Sequence, residues 1–114
     1  MTYSLLSTND LDTISFIAGS QQILTFLIYD SDGIAKDLSA LVCEWEMAKY
    51  GSDNSILNKT ASISGSPINE MVVTLASSDT ENLSGKYIHQ PVIIEGAEED
   101  RPSQGVIHIL PRIS

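Results

Sequence analysis

The sequence predicts an all-β domain, an antiparallel immunoglobulin-like β-sandwich of about seven strands with one short helical turn. Three observations carry that reading. Short apolar runs recur between clusters of Gly, Ser, Asp, Asn and Pro, with breaks about every 8–12 residues. Almost none of these runs continues with helical spacing beyond two turns. Several alternate apolar with polar residues, as a strand with one face in a core must. A length of 114 residues suits a single domain around one core. We expect residues 13–114 to form that domain and residues 1–12 to be an N-terminal extension.

The first run, 13–17, stops at Gly19-Ser20. The second, 22–29, sets Leu24, Phe26 and Ile28 on one face and Ile23, Thr25, Leu27 and Tyr29 on the other. Both faces are apolar. This predicts a central strand whose second face is partly covered, by the N-terminal segment folded over it or by another chain. Asp30-Ser31-Asp32-Gly33 offers a carboxylate acceptor followed by a residue that tolerates positive φ, so a tight turn should follow. After a connector, 34–38, residues 41–47 give the cleanest alternation. Leu41, Cys43, Trp45 and Met47 should face the core, and Glu44 and Glu46 the water.

Gly51-Ser52-Asp53-Asn54 marks the next reversal. Residues 56–63 read as a strand interrupted by polar residues, ended by Gly65-Ser66-Pro67, and 71–75 as its successor. Residues 77–83 look like one polar helical turn with a serine cap and acids near its positive end. Residues 87–94 form another strand, in which Pro91 argues for a bulge or an edge position. An acidic hairpin loop, 96–102, precedes a last strand at 106–110, closed by Pro111.

Fifteen acids against six bases leave a formal net charge of −9, which repels a phosphate backbone or an anionic membrane surface. Neither nucleic acid nor membrane is an expected partner. One cysteine, Cys43, permits no internal disulfide framework, and its alternation with core residues makes it a buried small hydrophobe. The start of the chain has no basic n-region and no long apolar run, so synthesis in a cytoplasm is expected.

Catalysis by nucleophile and base needs converging groups, and neither a nucleophile elbow nor a comparable motif is present. We expect no enzyme, no catalytic residue, no cofactor and no metal. His89 and His108 would approach each other if their strands paired across the 95–102 loop. Two imidazoles with no third ligand read instead as surface strand histidines. Asp30, Asp32 and Asp37 lack the remainder of a calcium loop and read as turn residues, and Glu98, Glu99 and Asp100 read as solvated hairpin charge. Asn58-Lys59-Thr60 and Asn82-Leu83-Ser84 match a glycosylation sequon, which means little without a secretory signal. Most aromatics alternate into the core, which weakens a sugar-stacking reading.

Leu83, Gly85 and Tyr87 fall two residues apart, after a polar turn and at the start of a late strand. This resembles a tyrosine corner, in which the hydroxyl bonds upstream backbone and ties an inter-sheet crossover to the strand it feeds. The alternative is an ordinary strand tyrosine.

At wider scale, Ile14-Ser15-Phe16-Ile17-Ala18-Gly19-Ser20, an apolar strand, Asp30-Ser31-Asp32-Gly33 and Asp37-Leu38-Ser39 follow one another. Residues 79–83, Gly85-Lys86-Tyr87, a Val/Ile strand, an acidic hairpin and the strand 106–111 then complete the order. This order resembles the N-terminal domain of the baseplate upper proteins of tailed bacteriophages. The chain ends shortly after Pro111, where multidomain phage relatives continue, so it reads as a one-domain relative or as part of a longer protein.

The resemblance implies a non-enzymatic virion structural protein of tail, baseplate or capsid surface, made in the host bacterial cytoplasm. It would pack with other virion structural proteins and with copies of itself, as a homo-oligomer. The expected contact residues are Tyr3, Leu5 and Leu6 of the N-terminal extension. The competing reading is a carbohydrate- or protein-recognising immunoglobulin-like module of an adhesin or receptor-binding protein.

Overall fold

The computed structural model describes residues 2–7, 13–30, 32–66 and 68–113, with backbone alone described for residues 2–7. Period-two alternation decides which side chains meet between two stacked sheets. The smaller sheet has the order β1 (Thr2–Ser7), β3 (Gln22–Ile28), β7 (Glu70–Leu75), β6 (Ser62–Ser64). The larger has the order β2 (Ile14–Ile17), β10 (Gly105–Leu110), β8 (Gly85–Glu95), β4 (Val42–Lys49), β5 (Ser55–Thr60), with β9 (Glu98–Asp100) paired to β8. The all-β sandwich read from the sequence is the fold observed, and the helical turn is α1 (Ser77–Thr80).

Leu24, Phe26 and Ile28 of β3 and Met71, Val73 and Leu75 of β7 are all buried. They join Ile14 and Phe16 (β2), Cys43, Trp45 and Met47 (β4), Tyr87 and Ile93 (β8), and Ile107 and Ile109 (β10) in one cluster between the sheets. Trp45 is fully buried at its centre, as its alternation predicts. The opposite face of β3, Ile23, Thr25, Leu27 and Tyr29, is half-buried.

All seven predicted runs contain strands, and the differences have physical reasons. Residues 2–7 do not fold over the second face of β3; they run beside it as β1, in parallel register from Thr2 opposite Ile23 to Ser7 opposite Ile28. A second parallel pair joins β10 to β2, so antiparallel pairing is not universal. The run 56–63 changes sheet part-way: the Ala61 N–H still bonds the Cys43 carbonyl at 2.9 Å, and from Ser62 the chain pairs with β7. No turn residue lies at that point, so the strand bends at a corner instead of reversing.

The acidic hairpin loop contains β9, whose Glu98 lies opposite Glu95 across the two-residue Gly96-Ala97 connection. Pro91 sits inside a central strand. On one side it faces Trp45 of β4; on the other it falls between the stretch paired with β10 and the stretch paired with β9. A residue without an N–H fits there because that side of the ladder is locally unpaired. The helical turn is capped by Asp79, whose Oδ2 accepts the Ala76 N–H at 2.7 Å; the N-cap position is Ala76, not a serine.

Asp30 organises its turn as expected, its Oδ1 accepting from the N–H groups of Asp32 (2.9 Å) and Ile34 (3.0 Å). Gly33 takes φ +78°, a conformation that a side chain would strain.

Candidate assembly surface

No group of three or more His, Cys, Asp or Glu placed to hold a metal occurs among the described residues. What the fold presents instead are sheet edges, apolar outer positions and one polar network. Tyr3, Leu5 and Leu6 lie on β1 opposite Leu24, Phe26 and Leu27. Their side chains lie outside the described residues. β1 ends the smaller sheet, so its backbone is bonded to β3 on one side and has no strand on the other among the described residues. Such an edge offers a row of N–H and C=O groups to a further strand. At the opposite edge, β6 is only three residues long, which limits its reach as a template.

The larger sheet carries the apolar outer positions. Ile17 and Leu110 are register partners on β2 and β10 and are 52% and 40% exposed. Val42, 54% exposed, stands opposite Ile94 on the outside of β4 and β8. Single exposed residues need no explanation; these two cross-strand pairs are apolar surface on the outer face of the larger sheet.

Between these pairs runs a hydrogen-bonded polar chain that the sequence reading did not foresee. Gln90 Nε2 donates to Glu46 Oε1 at 2.6 Å, and Arg101 Nε donates to the same oxygen at 3.0 Å. Gln104 Nε2 donates to Gln90 Oε1 at 3.2 Å, and Glu99 pairs with Arg101 at 3.6 Å. Glu46 is therefore half-buried and bonded, not free in water. Desolvation alone would raise its carboxyl; the bonds from Gln90 and Arg101, with the Arg101 charge, outweigh it and hold the group below the ordinary carboxylate range. The network fastens the segment between β9 and β10 to β4 and β8. Bonded partners within it lie up to 55 residues apart, so no local motif announces it.

The tyrosine corner is present in its bonding. Tyr87 is buried; its hydroxyl donates to the Ser84 carbonyl at 2.9 Å and accepts the Ser84 N–H at 3.2 Å. Gly85, between them, takes φ +103°. The segment crosses from β7 in one sheet to β8 in the other, and buried Thr80 within it accepts the Gly19 N–H at 3.0 Å. The crossover is thereby tied both to the strand it feeds and to the turn between β2 and β3.

The two histidines separate. His108 is exposed, as a surface strand histidine should be. His89 is not: it is fully buried, its Nδ1 accepts the Trp45 indole N–H at 3.0 Å, and its ring lies 5.8 Å from that of Phe26 in the other sheet. Nor do the two face each other, because His89 pairs with Gly105 and His108 with Lys86. The signal was in the sequence: Tyr87, His89 and Ile93 share one parity, and the two apolar members needed the core.

Asp37 accepts the Ser39 N–H at 3.0 Å, and that backbone bond, with the Ser39 side chain, lowers its carboxyl; with Asp30 it serves turn geometry. Cys43 is buried, and burial raises its thiol. No described helix is long and apolar enough to cross a membrane.

No family model matches the chain. No curated protein matches it either. Among solved structures it is similar to the N-terminal domain of phage TP901-1 ORF48, with a TM-score of 0.61 and 10% sequence identity over 98% of this chain and 97% of that one. The chain therefore has the fold of that phage domain, a two-sheet sandwich matched over nearly all of both lengths.

Proposed function

We propose that this chain is a non-enzymatic structural module of a bacteriophage virion, located in the tail or baseplate or attached to the capsid, that mediates subunit assembly or fibre attachment. The observation that carries the reading is the shared fold with a phage protein's N-terminal domain across nearly the whole of both chains. The order of motifs that resembles baseplate upper proteins adds to it. Its partners are other virion structural proteins and copies of itself, and its place is the virion after synthesis in the host cytoplasm. The first contact is the β1 edge with Tyr3, Leu5 and Leu6. An unpaired strand edge adds main-chain hydrogen bonds to side-chain contacts, and symmetric copies multiply weak contacts into avidity.

Light scattering at high concentration, together with recovery of bound proteins from purified virions, tests the reading. Self-assembly or a recovered virion partner is expected; a monomer with no partner overturns it. The triple variant Tyr3→Ser, Leu5→Ser, Leu6→Ser should lose assembly while keeping its β circular dichroism. Assembly unchanged in that variant removes β1 from the contact.

A further inference from the structure

Indole Nε1–H can only donate, so the 3.0 Å bond from Trp45 fixes His89 Nδ1 as an unprotonated acceptor and leaves the imidazole hydrogen on Nε2. Nε2 is buried and has no hydrogen-bond partner among the described residues. The ring stands on β8, beside Trp45 on β4, and faces Phe26 on β3 across the interface between the sheets. A second proton has one place to go, Nδ1, and there it meets another N–H at 3.0 Å.

We propose that His89 is an acid-operated latch in the core: a proton taken up at Nδ1 turns the acceptor of the Trp45 indole into a second donor, breaks that bond between β4 and β8 within the larger sheet, and sets a charge against Phe26 of β3 in the smaller one. This goes beyond the virion reading and does not depend on it.

Among the described residues no neighbouring charge offsets one on His89, whose pKa is moved by burial. The other titratable side chains in the core cluster are Cys43 on β4 and Tyr87 on β8 itself, and neither is a carboxylate. From β3, β7, β2 and β10 the apolar members of the cluster are Leu24, Phe26, Ile28, Met71, Val73, Leu75, Ile14, Phe16, Ile107 and Ile109; Gln22 at the start of β3 is also buried, is uncharged, and its Oε1 has no hydrogen-bond partner among the described residues. Of the charged or titratable groups of the same elements, Glu44 and Glu46 on β4, Lys86 on β8, His108 on β10 and Glu70 on β7 alternate to the outer faces, and Lys49 and Glu95, at the ends of β4 and β8, are exposed.

Burial accordingly lowers the His89 pKa from 6.5 to about 4. The unfolded chain takes the proton near pH 6.5 and the folded one only near 4, so folding is undisturbed above that window. Within it the folded-to-unfolded ratio falls about tenfold per pH unit, roughly 300-fold in all.

Trp45 is the single tryptophan, so its fluorescence reports the latch directly. Emission of the full chain is followed from pH 7.5 to 3.5 at a urea concentration just below the unfolding midpoint. The comparison is His89→Gln, whose amide oxygen can accept from the indole but does not titrate. A reversible transition in the wild type, absent or displaced below pH 4 in His89→Gln, is expected. The same transition in both proteins overturns the proposal, as does a wild-type signal flat across the range. Should His89→Gln fail to fold, an NMR titration of the wild type decides. The His89 Cε1–H and Trp45 indole N–H resonances should move with one midpoint, and separate midpoints overturn the latch.

Discussion

Replacing Tyr87 with Phe removes one oxygen from the β7–β8 crossover and leaves the buried ring in place, so no cavity complicates the result. That oxygen makes two hydrogen bonds, 2.9 Å to the Ser84 carbonyl and 3.2 Å from the Ser84 N–H. A neutral bond contributes about 0.5–1.5 kcal/mol net, and freed groups that stay dry cost more. Ser84 is exposed, so its backbone can rehydrate once released. The longer of the two bonds belongs at the low end, and the expected loss is about 1–2 kcal/mol. For a chain of this length that corresponds to a fall of roughly 4–8 °C in Tm. Urea unfolding followed by Trp45 fluorescence is the assay. The midpoint should move while the m-value stays constant, since the surface exposed on unfolding is the same. Tyr50→Phe, at an exposed aromatic, is the control and should move the midpoint by no more than about 0.3 kcal/mol. A Tyr87→Phe loss no larger than that of the control would refute the view that the corner ties the crossover to β8.

The Glu46–Arg101 pair should couple by less than about 1 kcal/mol in a double-mutant cycle with Glu46→Gln and Arg101→Ala. Arg101 is partly exposed, and 1 M salt should shrink the coupling. Because the folded Glu46 carboxyl titrates below its usual range, that contribution is complete above the ordinary carboxylate pKa. It disappears as pH falls through the lower folded value. Coupling that persists after an NMR titration shows the Glu46 carboxyl protonated would contradict this. Cys43, buried and with its thiol raised, should resist a thiol reagent in the native protein and react within seconds in 6 M guanidinium; fast native labelling would show that the core opens there.

Local chemistry was legible from the chain alone. Alternation at Leu24-Phe26-Ile28, Cys43-Trp45-Met47 and Met71-Val73-Leu75 assigns inner faces, because a strand's side-chain period is fixed by the backbone and needs no partner. The Asp30 turn and the Tyr87 corner are equally local, since each bond spans four residues or fewer.

Tertiary structure alone decided the pairings. β1 lies parallel to β3, the run 56–63 is shared between sheets at Ala61, and Glu46 is bonded by Gln90 and Arg101, which lie 44 and 55 residues away. His89 was misassigned because its polarity argued for water, while its parity with Tyr87 and Ile93 argued for the core. The conflict is resolved by Trp45, 44 residues away, whose indole N–H gives a buried imidazole the bond it would otherwise take from water. A side chain's face is set by its own strand, but its partner is set by the strand that packs beside it, and sequence distance carries no trace of that neighbour.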